Sequence, residues 1–235
     1  GAVTALYNET VATSSSASIN YVDANPNSIA YYKMSDASDQ LGINNGTATN
    51  VNFNTEGKFG FAGAFNGTSS YISLPNDLIN TNLFTVSCWV NLSSLNPDDG
   101  LLGAYGAGGG NNYGWMIYIN NGAVKFVSYS NYGNMNFSQT GTLSVNTWNH
   151  VVVTYSSTDC IIYINGANSN NLVPPGNRDY RPTNHPYRLG AVDDGGTTVS
   201  FFDGKIDQVR LYNQAALSAA NVTTLYEEIE CPAPP

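Results

Sequence analysis

Trp148-Asn149-His150-Val151-Val152-Val153-Thr154-Tyr155, followed by Cys160-Ile161-Ile162-Tyr163-Ile164 and the pair Asn165-Gly166, sets the fold class of this chain. Two runs of β-branched and aromatic residues flank a short polar gap, and a turn pair that accepts positive φ closes the second run. Such side chains pack well on a pleated, half-buried surface and lose rotamer freedom in a helix. Outward from there the pattern repeats. Apolar runs recur at Ile29–Met34, Phe84–Val90, Trp115–Ile119, Val124–Ser130 and Ile206–Tyr212. Turn pairs fall between them at Asn45-Gly46, Asn66-Gly67, Asp99-Gly100 and Asn121-Gly122. Many short strands and hardly a helix predict an all-β chain, a β-sandwich (jelly roll) of two antiparallel sheets.

Composition agrees and excludes several function classes. Of 235 residues, 42% are hydrophobic and only 11% charged, so the chain can bury a core and is not disordered through charge. Eight Lys and Arg stand against 17 Asp and Glu, a net charge of −9. That balance repels phosphate backbones and anionic lipid, so neither nucleic acid nor membrane insertion is expected. No run approaches the roughly 18 apolar residues of a membrane helix. Cys88, Cys160 and Cys231 show no metal spacing, and a Cys88–Cys160 bond would require neighbouring strands.

A short helix is expected near each terminus. Leu217–Tyr226 has helical character with Ser218 as N-cap. Val3-Thr4-Ala5-Leu6-Tyr7-Asn8-Glu9-Thr10 matches Val222–Ile229 at five of eight positions, a self-similarity at a spacing of 219 residues. This predicts a tandem arrangement. Residues 1–12 read as the closing helix of a preceding module, 13–27 as a linker, 28–227 as the sandwich and 228–235 as a Pro-rich exit segment.

Four stretches carry a family pattern. They are Ala30-Tyr31-Tyr32-Lys33-Met34 with Asp36, Asp39 and Asn45-Gly46-Thr47; Gly57-Lys58-Phe59-Gly60 with Ala64-Phe65-Asn66-Gly67 and Ser70-Tyr71-Ile72; Phe84–Val90; and Trp148–Tyr155 with Ile162–Gly166 and Gly204–Tyr212. In this order, with Leu217-Ser218, they resemble the laminin-G-like, concanavalin A-like jelly roll over about residues 28–227. The wording of YYKMSDASD and GTATNVNFNTEGKFG resembles laminin-G-like modules of marine bacteriophage virion and tail proteins. That resemblance implies a virion location, with an extracellular or cell-surface setting as the alternative.

The same sandwich serves lectins and glycan-cleaving enzymes, so function must be read from sites. Glycosidases commonly need two carboxylates flanking the bond. Of the five glutamates, Glu9, Glu227, Glu228 and Glu230 fall in terminal segments and Glu56 stands alone in a turn. His150 lies in a strand-forming segment and reads as structural, and Asp207 reads as a turn-bonding carboxylate. Trp89, Trp148 and Tyr163 read as packing residues of the core or the sheet interface. No nucleophile motif surrounds His150 or His185. The sequence argues for a non-enzyme.

Binding is expected on loops. Asn111, Asn112, Tyr113, Tyr132 and Tyr180 join aromatic faces to amide groups, the chemistry of a saccharide site, with Tyr105 and Tyr129 of the same kind. The resemblance further implies a calcium ion at a rim, for which Asn112, Asp193 and Asp194 are the candidate ligands. Asp36–Gly42 offers a second oxygen-rich loop that also reads as an Asx-turn. The expected function is a non-catalytic recognition or adhesion module binding host-surface or extracellular glycans, with other modules of the same longer chain as partners. The alternatives are a structural spacer or protein-docking unit, and an unusual glycan-active enzyme.

Overall fold

The computed structural model of the chain describes residues 27–76, 78–108, 111–129, 135–138, 142–156, 159–169 and 185–228. They form two antiparallel sheets packed face to face. The first runs β13 (Ala167–Asn168), β12 (Cys160–Ile164), β11 (Asn149–Tyr155), β6 (Phe84–Leu92), β17 (Asp203–Asn213), β4 (Phe61–Asn66), β3 (Asn52–Glu56), and β1 (Ser28–Tyr32) also pairs with β17. The second runs β10 (Met135–Ser138), β9 (Ala123–Tyr129), β8 (Asn111–Asn120), β7 (Asp99–Gly108), β14 (Pro186–Leu189), β5 (Tyr71–Asn76), β2 (Thr47–Thr49). A hairpin of β15 (Val192–Asp194) and β16 (Thr197–Val199) joins this sheet through a parallel pairing of β15 with β7.

Period-two alternation fills the space between the sheets. Phe84, Val86, Cys88, Val90 and Leu92 of β6 face Trp115, Ile117 and Ile119 of β8, together with Phe126, Tyr187 and Leu189. Phe84 stacks on Trp115 at 5.0 Å and on Tyr155 at 5.3 Å between ring centroids. Every residue of β11 is buried, on both faces. The cause is α1 (Ala219–Tyr226), which covers the outer face of the first sheet. Val222 and Leu225 pack there on Tyr31, Val152, Tyr163, Tyr212 and Leu217. Burying each is worth about 1.5–3 kcal/mol. Ser218 caps the helix by accepting the Asn221 N–H at 3.3 Å. This explains why the Val151–Thr154 run lacks polar alternation.

Two turn pairs behave as their residues dictate: Asn121 and Gly122 have φ of 48° and 82°, and Asn165 and Gly166 have 50° and 79°. Others differ from expectation. Asp99-Gly100 opens strand β7 rather than forming a turn, because Gly100 lets the backbone of Ser200 and Ala191 approach. Trp89 and Tyr163 pack on the outer face of the first sheet, not between the sheets. Cys88 and Cys160 are buried thiols that form no disulfide with one another. They sit on β6 and β12, which β11 separates, and burial pushes the Cys88 thiol up to about 12. A helix near the N-terminus, and residues 1–26 and 229–235 generally, lie outside the described residues.

Candidate functional site

The second sheet presents an outer row in register: Thr47, Ser73, Arg188, Gly103, Met116 and Val127 stand opposite one another across six strands. Arg188 is its most heavily engaged member. Tyr187 and Leu189 point into the core, so alternation turns Arg188 outward. Its Nε donates to Thr198 Oγ1 at 3.2 Å and its Nη1 to Ser73 Oγ at 2.5 Å. Nη2 lies 3.3 Å from Asp193 Oδ2, and the guanidinium stacks 5.0 Å from the Tyr71 ring centroid. Tyr71 in turn sits 6.4 Å from Phe201, and both rings are half-buried.

Besides Arg188, two contacts fix the β15–β16 hairpin to its surroundings and one closes its own turn. The Gly195 N–H donates to the Tyr105 carbonyl at 2.8 Å, and the Gly196 N–H donates to Asp193 Oδ1 at 2.8 Å. His185 Nδ1 lies 3.7 Å from Asp193 Oδ1. Asp194 at the tip remains exposed. Tyr105 shares the outward phase of Gly103 on β7, so a tyrosine, the Thr197 hydroxyl and the exposed Asp194 carboxylate gather at this rim.

The sequence-chosen residues distribute as follows. Asp193 stands opposite Ala104 and Asp194 opposite Tyr105, while Asn112 pairs with Ala107 and Tyr113 with Gly106 from the other flank of β7. The backbone therefore brings Asn111, Asn112, Tyr113, Asp193 and Asp194 to one end of one strand. Tyr132 and Tyr180 lie outside the described residues. The calcium assignment does not fit Asp193, whose carboxylate is fully buried and already holds Arg188 and the Gly196 N–H. Among the described residues, no group of three or more His, Cys, Asp or Glu side chains is placed to hold a metal ion. In the Asp36–Gly42 loop the Asp39 carboxylate accepts four backbone N–H groups, from Tyr31, Leu41, Ile43 and Asn44. It acts as an extended Asx-turn.

The model of the concanavalin A-like lectin/glucanases superfamily of the laminin-G type matches residues 66–223. The chain belongs to that superfamily. Among curated proteins none matches it in sequence. Solved structures match it in fold. Domain 4 of AbnA, a GH43 extracellular arabinanase from Geobacillus stearothermophilus, in complex with arabinotriose, is 25% identical, with a TM-score of 0.65 over 85% of this chain and 98% of that one. The binding domain of Paraclostridial Mosquitocidal Protein 1 is 21% identical at a TM-score of 0.65, over 85% of this chain and 52% of that one. The CBM40 of a Ruminococcus gnavus IT-sialidase, bound to α2,3-sialyllactose, is 19% identical at a TM-score of 0.54, over 62% of this chain and 82% of that one. This chain spans about half the length of the mosquitocidal binding domain.

Within this concanavalin A-like sandwich, a second polar cluster sits on the opposite, outer face of the first sheet. His150, Trp89 and Asp207 stand side by side on β11, β6 and β17. Trp89 stacks on Tyr226 at 5.7 Å and lies 5.0 Å from the His150 ring, with the Lys58 ammonium 4.3 Å from its centroid. Ser87 Oγ hydrogen-bonds His150 Nε2 at 2.9 Å, while His150 Nδ1 has no hydrogen-bond partner among the described residues. Burial first, then the nearby Arg210 and Lys58 charges, pushes His150 down to about 3. Asp207 accepts the Phe59 N–H at 2.9 Å and the Gln208 N–H at 2.7 Å, bonding a turn as its sequence context indicated. Burial raises it to about 6.

Sequence reading missed Arg188, Tyr71 and Phe201 as site residues. The signal for Arg188 was present in Tyr187-Arg188-Leu189, where a lone cation between two core residues must face outward. Its pairing with Ser73 and Asp193 depends on strand order, which no local pattern encodes.

Proposed function

We propose that this chain is a non-catalytic glycan-recognition module of an extracellular or virion structural protein, contacting saccharide at the β7 rim. One observation carries the reading. Tyr105, Asp194 and the leading backbone of β8 at Asn111–Tyr113 come together at the late end of β7, and the Arg188 network adjoins them at Gly103, with Tyr71 on its far side. Aromatic faces take the C–H surface of a sugar ring, and fixed polar groups take its hydroxyls. The arabinotriose-bound arabinanase domain and the sialyllactose-bound CBM40 support a glycan ligand on this fold. The phage setting rests on the resemblance of sequence wording.

The non-catalytic part rests on carboxylate placement. A glycosidase needs two carboxyl groups about 5–10 Å apart across an accessible bond. Asp193 is consumed by Arg188, and Asp207 and Asp99 are buried away from the rim. Among the described residues the Ser87–His150 pair has no third group on Nδ1 to orient the imidazole, and solvent does not reach it.

Glycan-array binding, repeated with Tyr113→Ala and Asp194→Ala variants that remain folded, tests the site. Loss of signal in both is expected. Unchanged binding in both would remove this rim and leave the structural-spacer reading in its place.

A further inference from the structure

We infer that the saccharide accepted at this rim is uncharged; the inference rests on the glycan-recognition reading and narrows it. An acidic sugar is held by an arginine fork whose parallel N–H groups are turned toward the ligand carboxylate. Among the described residues Arg188 is the only arginine in the strands of the second sheet, and each of its three nitrogens already has a partner: Thr198, Ser73 and Asp193. Its side chain is only 13% exposed, with the flat face taken by Tyr71. The strands of this sheet otherwise carry Lys125, set opposite Tyr118 two strands beyond β7. Against these two cations stand Asp99, Asp193 and Asp194. The exposed member of that set at the rim is the carboxylate of Asp194.

A uronate, sialate or sulfate arriving there would shed its hydration beside a like charge, with no lysine or arginine of this sheet's described strands free beside it to replace the lost water. A neutral pyranose or furanose meets no such penalty. It offers hydroxyl donors to Asp194 and acceptors to the Thr197 and Thr198 hydroxyls, and an apolar face to tyrosine. Arg188 is thus a positioning residue. It ties β14, β5 and the β15–β16 hairpin into one surface and is not itself the sugar-binding cation.

The test is calorimetric titration of the whole chain with two probe sets, at low and high NaCl. Arabinan, β-glucan and galactan form the neutral set; polygalacturonate, sialyllactose and sulfated galactan form the acidic set. Binding of at least one neutral glycan, about tenfold or more tighter than any acidic one and insensitive to salt, is expected. Preferential, salt-sensitive binding of the acidic set would overturn the inference while leaving the glycan reading intact. No binding of either set by folded protein would overturn both. An Asp193→Asn variant, which releases the guanidinium from its counter-charge, should gain salt-sensitive polygalacturonate binding. The wild-type comparison decides the matter whether or not that variant folds.

Discussion

Ser87 Oγ and His150 Nε2 lie 2.9 Å apart on adjacent strands, and both side chains are closed off from water by α1 and the Lys58–Phe59 turn. A serine and a histidine at that distance resemble half of a hydrolytic triad. The surroundings decide otherwise, because a base pushed down to about 3 is a poor proton acceptor at neutral pH. The pair holds β11 to β6 beneath the Trp89–Tyr226 stack. His150→Ala should therefore destabilise the fold by about 2–4 kcal/mol, through a cavity and an orphaned Ser87 hydroxyl. Urea unfolding measures this. Glycan binding below the unfolding midpoint should match wild type, and a loss of binding in folded protein would contradict the structural role.

Asp207, on the other side of Trp89, gives a pH prediction of opposite sign to that of His150. Its folded value of about 6 lies above the ordinary 3.8, so the folded state binds the proton more tightly. Stability from this group is therefore greatest at low pH and falls as pH rises from about 4 to about 6. His150 is depressed, so its contribution is present above about 6.5 and is lost as pH falls toward 3. Asp207→Asn keeps a hydrogen-bond acceptor but carries no charge. Relative to wild type, the variant should gain stability as pH rises through that window, by on the order of 1–3 kcal/mol at pH 7. Thermal melts from pH 4.5 to 7.5 would show it; a constant offset across that range would mean Asp207 titrates normally.

How much of this was legible beforehand differs by scale. The strands around Trp148–Ile164 and the capped helix at Ser218 follow from residue type and spacing, since β-branching and capping act locally. The rim was legible only as a neighbourhood. Asp193 and Asp194 look alike in sequence, yet one is sealed against Arg188 and the other is exposed. That difference arises because β15 runs parallel to β7 beside β14, a contact between segments about ninety residues apart. Trp89 was readable as a packing residue but not as one covered by a helix 130 residues later.

Gly190 links β14 to the hairpin, and its conformation sets where both land. Its φ is 77°, and a Cβ placed there would lie 2.2 Å from the Phe65 ring. The backbone is pinned as well: Gly190 donates to the Leu101 carbonyl at 2.9 Å and accepts from Phe202 at 3.0 Å. Gly190→Ala combines a strained backbone with a clash against a core ring, and should cost about 2–4 kcal/mol. Because Arg188 and Asp193 flank this residue, glycan affinity should fall together with the melting temperature. A variant with native melting temperature and native binding would show that the Phe65 ring yields freely.

Calcium removal separates two ways in which the rim could hold sugar. If the ion were shared by Asn112, Asp193 and Asp194, it would have to displace Arg188 and the Gly196 N–H from Asp193, leaving a nearly buried guanidinium without its counter-ion. Breaking a buried ion pair in that way costs about 3–5 kcal/mol, which a rim site with a single exposed carboxylate does not recover. Glycan binding should accordingly be equal in 2 mM calcium and in excess EDTA, within about twofold, and the melting temperature should not move between the two buffers. A calcium-dependent rise in both would place an ion at the rim and require Asp193 to rotate away from Arg188. The Asp194→Ala variant would then lose the calcium response, whereas on the present geometry it loses sugar contacts alone.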